Sequence, residues 1–425
     1  MEPNNFPLSK NIIEKLLIVL PITLLFSNIL SEAVLLILIL FYLSISKLNK
    51  VFESLKNPII IFLLVVWFYL IFNYFINYER DPSFERTFFF IRFPLIIIAI
   101  SFFINNLGVK LEKILFYWMI VILITCLDIF FQKNTLTNIF GFEAVLQGSV
   151  YRLGGFMNDE LKISNIIFNF GALVFCYFFS KNFTNDKKSL YFTLLFLLIL
   201  VTSIFLTAER SNLITILSFT LILILFLLFF NRKLFFILFF SLLIILSVLY
   251  KTNDSLSKRM IGELGDKIKL FKLDTNEKFL AKNSHYFAHY ATAYEIFKQN
   301  KIYGVGIKNF RNFCDNEKFN EYIHPEWVRA KCATHPHSFY FEILSELGLL
   351  GFILILAFFI FTFFKFFQMY LKSKNIYLIL SSSIVIVYFI PFLPRGSFFT
   401  NWNAIIFWVV FAFIYSNFIK LERSK

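Results

Sequence analysis

Long apolar stretches separated by short polar segments dominate the pattern along the chain. A run of about twenty apolar residues can cross a bilayer as a helix, and lipid offers no hydrogen-bond partners to an irregular backbone. The pattern therefore predicts an all-α polytopic membrane protein with about twelve transmembrane helices. The predicted spans are 13–30, 32–46, 58–77, 88–105, 111–131, 163–180, 189–208, 211–230, 234–250, 338–364, 375–393 and 401–419.

One long polar interval, residues 251–337, divides this pattern. It predicts three parts: an N-terminal membrane bundle over 1–250 with about nine spans, an extramembrane loop over 251–337, and a C-terminal bundle over 338–425 with about three. Only Ser31 and Glu32 separate the first two apolar runs, which indicates a tight hairpin. No small-residue cleavage site follows the first run, so we expect a retained span and not a removed signal peptide.

Composition supports a helical membrane protein. The chain of 425 residues is 58% hydrophobic and 16% charged, whereas a soluble domain is about a quarter charged. Only 13 Gly and 10 Pro are present, which argues against disorder and against a turn-rich β-barrel.

The net charge of +14 follows the topology. Alternate connecting segments, together with both termini, hold 18 basic residues against six acidic ones, and the rest of the chain is nearly neutral. Loops that stay in the cytoplasm accumulate Lys and Arg. We therefore expect both termini in the cytoplasm and the long loop outside it, and no nucleic-acid partner.

The histidines cluster in the long loop. All five lie there: His285, His289, His324, His335 and His337. A metal site is one interpretation, but no carboxylate lies at a familiar ligand spacing, so we expect no metal. His324 and His335 are expected to have no catalytic role. His337 directly precedes a predicted span, which places an imidazole at the membrane–water boundary as a candidate general base.

Arg210 lies between two apolar runs, in Leu206–Asn212. A charge at this depth is costly unless it is paired or faces a polar cavity. Either Arg210 extends to the interface beside Glu209, or its planar guanidinium binds a diphosphate.

The four cysteines fall into two groups. Cys126 and Cys176 lie inside predicted spans and are expected to be inert. Cys314 and Cys332 both lie in the loop, where an oxidising compartment would favour a disulfide between them.

Several motifs resemble one family. The run His337-Ser338-x2-Phe341-x4-Glu346-x-Gly348-x2-Gly351 resembles the signature of the O-antigen ligase and O-antigen polymerase superfamily, often called Wzy/WaaL-like. The segments Arg152–Phe156, Thr207–Ser211 and Ile302–Gly306 resemble its other motifs. The resemblance covers roughly residues 150–351.

This resemblance implies a GT-C-type glycosyltransferase of the bacterial inner membrane, acting on the periplasmic side without metal, nucleotide or other cofactor. Such enzymes transfer a glycan from undecaprenyl diphosphate to an acceptor hydroxyl, with inversion at the sugar carbon. In a ligase the acceptor is the lipid A-core; in a polymerase it is another lipid-linked glycan. His337 would be the general base, and Arg210 would stabilise the departing diphosphate.

One departure from the family concerns a second arginine that members often carry about fifteen residues before the Gly-x-Gly element. The corresponding stretch here, Asn283–His289, holds none. The candidates for binding substrate in its place are His285, His289, Arg152, Lys282 and Arg395.

Three alternatives remain beside a ligase. A polymerase uses the same chemistry, and a protein O-oligosaccharyltransferase is disfavoured by the short segment after the last span. A twelve-span transporter belongs to another class; such proteins carry ionisable residues near the bilayer midplane and repeated halves. Here Asp128 and Arg92 are the clearest charges within spans, and the halves show no similarity.

Overall fold

The computed structural model describes residues 7–183, 186–262, 285–323 and 325–424. Seventeen α-helices lie within this described part. They are α1 (Pro7–Phe26), α2 (Asn28–Ile45), α3 (Leu48–Leu55), α4 (Pro58–Ile76), α5 (Phe84–Phe88), α6 (Arg92–Asn105), α7 (Leu111–Thr135), α8 (Ile163–Asn182), α9 (Lys187–Leu206), α10 (Arg210–Phe230), α11 (Arg232–Thr252), α12 (Asp254–Ser257), α13 (His285–Gln299), α14 (Phe310–Phe313), α15 (Phe339–Ser373), α16 (Ile376–Ile386) and α17 (Asn401–Arg423). Strands β1 (Val145–Gln147) and β2 (Val150–Arg152) form one antiparallel hairpin.

The predicted all-α polytopic architecture is confirmed. Each of the twelve predicted spans corresponds to a helical segment, and within the described residues ten of these segments are long and apolar enough to cross a membrane. The two exceptions are α1, which carries Lys10, Glu14 and Lys15, and α16, which is shorter.

The boundary between the first two spans differs from the prediction. The chain breaks at Ser27, whose Oγ accepts the Leu30 N–H at 3.3 Å and so begins α2. Ser31 and Glu32 both lie inside α2, where Ser31 Oγ donates to the Ser27 carbonyl at 2.9 Å. The predicted break was wrong because an N-capping serine starts a helix more effectively than a Ser-Glu pair interrupts one.

The C-terminal helix α17 forms the centre of the bundle. Of its apolar stretch, 83% is buried, and it packs against α6, α8 and α16. By contrast, 17% of the corresponding stretch of α11 is buried. The exposed apolar side chains of α11 form a surface suited to lipid, and they include Phe236, Phe240, Leu243, Ile244 and Val248.

Helix α15 is interrupted at Gly348, where φ is 68° and ψ is −170°. The backbone groups around this break bond to the segment Lys301–Gly306. The Leu349 N–H donates to the Lys301 carbonyl at 2.8 Å, and the Gly306 N–H donates to the Glu346 carbonyl at 2.8 Å. The two glycine motifs of the sequence thus pair with each other and fix the loop to a membrane helix.

The extramembrane segment has a small apolar core of its own. Helix α13 and the segments that follow it bury Ala293, Ile296, Val305, Phe310 and Phe319 together. Cys314 and Cys332 are joined by a disulfide at the edge of this core, with their Cα atoms 5.2 Å apart. We call the end of the bundle that carries this segment the loop end.

Two glycines with similar φ provide a matched test of the Gly348 break. A Cβ on Gly348 would lie 2.3 Å from the Ile302 carbonyl oxygen, whereas a Cβ on Gly148 (φ 65°) meets nothing within 4 Å. We expect Gly148→Ala to lower the free energy of unfolding by about 1 kcal/mol, and Gly348→Ala by about 3 kcal/mol or more, because backbone overlap adds to backbone strain. Thermal unfolding of the detergent-solubilised variants measures the difference; equal losses would contradict the packing described here.

Candidate active site

The structure places His337 at the point where the loop enters α15. Its φ of 55° lies in the left-handed region, which turns the chain sharply just before Ser338 begins the helix. The His337 carbonyl accepts the Arg395 N–H at 2.9 Å. The side chain is half-buried. Two separate segments therefore fix the backbone from which this imidazole projects.

Three aromatic or imidazole rings surround His337. Its ring centroid lies 4.1 Å from that of His335, 5.3 Å from that of His289 and 5.5 Å from that of Tyr286. Despite this clustering, the described residues contain no group of His, Cys, Asp or Glu that could hold a metal ion. The side chain of His285 and the whole of His324 lie outside the described residues.

The two neighbouring histidines stay neutral near neutral pH. Burial, with smaller contributions from His337 and Lys308, lowers the pKa of His335 to about 3. Burial also lowers the pKa of His289. His335 Nε2 lies 3.2 Å from the Arg395 carbonyl, which can only accept, so this nitrogen carries the proton. The neighbours thus add no positive charge that would oppose protonation of His337.

Arg395 anchors the segment opposite His337. Its Nη2 donates to Thr215 Oγ1 at 2.9 Å and to the Val387 carbonyl at 2.7 Å, and its guanidinium lies 4.7 Å from the centre of the Tyr388 ring. Burial lowers its pKa to about 10, which leaves it protonated at neutral pH. Its buried Nε has no partner among the described residues.

Glu209 lies at the turn between α9 and α10. Its Oε2 accepts from Asn212 at 2.7 Å, and the same amide donates to Ser164 at 2.8 Å. Burial raises the pKa of Glu209, and its Oε1 has no hydrogen-bond partner among the described residues. Arg152 partly offsets this cost through charge attraction.

Arginines gather around this turn. Arg152 and Arg259 both donate to Gln147 Oε1 at 3.1 Å, and Arg259 Nε lies 3.4 Å from the Ala208 carbonyl oxygen. Arg210 is the first residue of α10 and is half-buried. Three guanidinium groups from distant parts of the sequence therefore lie near one helix start, which favours anions. Arg259 was not predicted.

Two glycines shape the segment that delivers Arg152 to this turn. A Cβ on Gly154 would lie 1.6 Å from the Asn158 carbonyl oxygen, and one on Gly155 (φ 52°) would lie 2.6 Å from Ile163. The Gly155 N–H donates to Gln132 at 2.9 Å. The Arg152–Phe156 motif is thus a tight turn held against membrane helices.

A cavity of about 250 Å³ at the loop end brings these groups together. It is lined by His335, His337, Arg395 and Glu209. Side-chain amides and aromatic rings make up much of the remaining lining: Asn165, Asn169, Asn212, Asn403, Tyr286, Tyr388, Trp402 and Phe407. Amides and aromatic faces suit a sugar, which presents hydroxyl groups on its edges and C–H groups on its faces.

The predicted site residues are brought together only in part. His337 and Arg395 line the cavity, and the His289 ring centroid lies 5.3 Å from that of His337. Glu209 and Ser211 line it, whereas Arg210 between them is not among the described lining residues. Arg152 is not among the described lining residues, but its charge attracts Glu209, which does line the cavity.

Part of the chain, including Arg210 and His337, is similar to a known protein family. Residues 195–356 match the family model described as O-Antigen ligase (Wzy_C). This segment is similar to the O-antigen ligase family. The Wzy_C segment includes α10, the loop and the start of α15, and it contains Arg210 and His337. Members of the family are glycosyltransferase-like enzymes. A search of curated proteins finds no match to the chain.

The sequence did not identify the amide lining. Asn165 and Asn169 lie one turn apart on α8, where Asn169 Nδ2 donates to Asn165 Oδ1 at 2.7 Å. Two amides four residues apart in an apolar helix could have predicted a polar cavity beside that helix. Polar groups at membrane depth need a polar environment. Asn403 and Trp402, at the start of α17, gave no comparable signal.

The half-buried His335 makes stability depend on pH. Between about pH 6.5 and pH 3 the unfolded chain binds a proton at this residue and the native protein does not. The free energy of unfolding therefore falls as the pH falls, by up to about 1.4 kcal/mol per pH unit from one group. We expect His335→Gln to reduce the loss of thermal stability between about pH 7 and pH 5, measured in detergent. His324→Gln is the control, and an unchanged loss in His335→Gln would contradict this account.

Proposed function

We propose that the protein is a glycosyltransferase that moves a glycan from undecaprenyl diphosphate to an acceptor hydroxyl, with the lipid A-core as acceptor. The observation that carries the proposal is the cavity at the loop end. It combines His337 with an amide and aromatic lining, and three arginines from different segments lie near the adjoining turn between α9 and α10. A sugar site beside an anion site is what a donor with a diphosphate leaving group requires.

His337 is the general base of the proposed reaction. Its imidazole takes the proton from the acceptor hydroxyl while the hydroxyl oxygen attacks the anomeric carbon of the donor. The bond between that carbon and the diphosphate oxygen breaks, and the electron pair leaves with the lipid diphosphate. The proton then passes from His337 to solvent. Neutral His289 and His335 allow His337 to accept the proton without repulsion.

Arg210, with Arg152 and Arg259, stabilises the negative charge that grows on the leaving diphosphate. Guanidinium groups suit this task because each can bond two phosphate oxygens at once. Arg395 takes the place of the arginine missing from Asn283–His289, since it lines the cavity and remains charged. The reaction consumes no nucleotide sugar, because the lipid diphosphate is the leaving group.

The proposed location is the bacterial inner membrane, with the loop end in the periplasm and both termini in the cytoplasm. The support is the excess of Lys and Arg in the segments at the opposite end. Both lipid-linked substrates would then reach the cavity from the outer leaflet.

Both charges noted within spans have structural partners, which disfavours a transporter. Arg92 donates to Glu32 at 3.1 Å and to Asn401 at 2.8 Å. Asp128 accepts the Ile139 N–H at 3.0 Å and so holds the segment that follows α7. These contacts hold helices and loops together, so both charged side chains have a structural role.

Reconstitution with purified lipid-linked glycan and a lipid A-core acceptor tests the proposal. We expect His337→Gln to lower the transfer rate by about 10²- to 10⁴-fold, the range for loss of a general base. Arg210→Gln should lower it by about 10²- to 10³-fold, as loss of a charge-stabilising donor does. His324→Gln and the exposed Arg329→Gln are the matched controls.

Three outcomes of this reconstitution are informative about ligase activity, polymerase activity and the role of His337. Transfer to the core that depends on His337 and Arg210 supports a ligase. Elongation of the lipid-linked glycan without any core acceptor would make the protein a polymerase of the same superfamily. Undiminished transfer by His337→Gln would refute the proposed mechanism.

A further inference from the structure

A second cavity, of about 490 Å³, adjoins the first at the loop end. It lies between the segment that leads into α5, the residues around Lys308 and the start of α17. Four residues line both cavities: Lys162, His335, Gly396 and Asn403. Its volume lies within the range of about 300–1,000 Å³ typical of small-ligand sites. The two compartments therefore meet beside the candidate base.

The two cavities differ in chemistry. Four aromatic rings line the first cavity, whereas the described lining of the second contains no Phe, Tyr or Trp. The second has four basic side chains, Arg86, Lys162, Lys308 and Arg311, against two acidic ones, Asp81 and Glu85. Ser, Thr and Asn supply most of the rest. This lining suits a ligand that is polar and carries negative charge.

The basic side chains of the second cavity differ in how closely acidic groups balance their charge. Lys162 pairs with Glu160, and Lys308 lies 4.0 Å from the buried Glu342. Arg86 directly follows Glu85 in the sequence, and Arg311 is exposed.

Two guanidinium groups, those of Arg86 and Arg311, therefore line one cavity. Arg311 is held there by a contact of 3.4 Å between its Nη2 and the carbonyl oxygen of Thr334, the residue next to His335. An anion bound between two arginines balances their charge and receives planar, two-pronged hydrogen bonds from each. The arrangement is thus suited to one phosphate or carboxylate group.

We propose that the second cavity binds the acceptor glycan through an anionic substituent, a phosphate or a carboxylate, held by Arg86 and Arg311. The inference rests on the proposed transferase function and specifies its acceptor as a charged saccharide. The acceptor hydroxyl would reach His337 past His335 and Gly396, which line both compartments. The donor sugar would occupy the aromatic first cavity.

Transfer kinetics test this assignment. We expect the double variant Arg86→Gln/Arg311→Gln to raise the acceptor KM by about 10- to 100-fold, the loss expected for charged hydrogen bonds. The KM for the donor should change by less than about twofold, because the two arginines do not contact the donor in this assignment. The control is Lys301→Gln/Lys318→Gln, which removes the same charge from exposed residues that line neither cavity. Equal effects on both KM values, or an unchanged acceptor KM, would refute the proposal.

Two treated acceptors identify the anion. Acceptor freed of phosphate by a phosphatase, and acceptor whose carboxylates are esterified, are each compared with untreated acceptor. With the anion removed, the wild-type protein should show the raised KM and the double variant no further increase, since both changes remove one interaction. Additive increases with both treated acceptors would contradict the assignment.

Direct binding separates failure of this inference from failure of the proposed function. Glucose 6-phosphate, glucuronate and glucose serve as probes of the full chain in lipid nanodiscs, followed by saturation-transfer NMR. We expect one of the two anionic sugars to bind the wild-type protein and the lysine control but not the double variant, and glucose to show no such difference. This result would stand even if no glycan transfer were detected. Equal binding by the double variant and the control would overturn the inference.

Discussion

The structure depends on an exchange of backbone hydrogen bonds around Gly348. The break in α15 frees amide and carbonyl groups where lipid could not satisfy them, and each such group left unpaired would cost several kcal/mol. The segment Lys301–Gly306 supplies the partners, and Tyr69 Oη donates to the Leu347 carbonyl at 2.6 Å. The loop is thereby attached to the membrane bundle through its main chain, which no rotation of a side chain can release.

A buried carboxylate extends this attachment towards the candidate active site. Glu342, one turn into α15, accepts from the Ser397 hydroxyl and, at 2.8 Å, from the Phe398 N–H. Lys308, from the segment after the glycine motif, lies 4.0 Å away and balances its charge. The segment that carries Arg395 is thus joined to the helix that His337 precedes. Because membrane helices fix both ends of the contact between Arg395 and His337, the cavity is positioned by the bundle more than by the loop.

Much of the fold followed from the sequence because the bilayer imposes a simple rule of length and apolarity. Each apolar run became a helical segment, and Cys314 and Cys332 lie together as expected. The start of α2 was misplaced because capping at Ser27 is a local effect that hydropathy does not report. His337 could be singled out by its position at a helix start. The approach of Arg259 to Arg152, and of Asn403 to Asn165, depends on tertiary packing between segments more than a hundred residues apart, which one sequence does not encode visibly.

The proposed reaction is a single displacement in which His337 activates the acceptor hydroxyl and the lipid diphosphate leaves directly. The most direct test is the configuration of the new glycosidic bond, determined by NMR from the anomeric coupling constants of donor and product after transfer by the wild-type protein. We expect the configuration at the anomeric carbon to be inverted relative to the lipid-linked donor. Retention of configuration would require a second displacement and would contradict the assignment of His337 as general base.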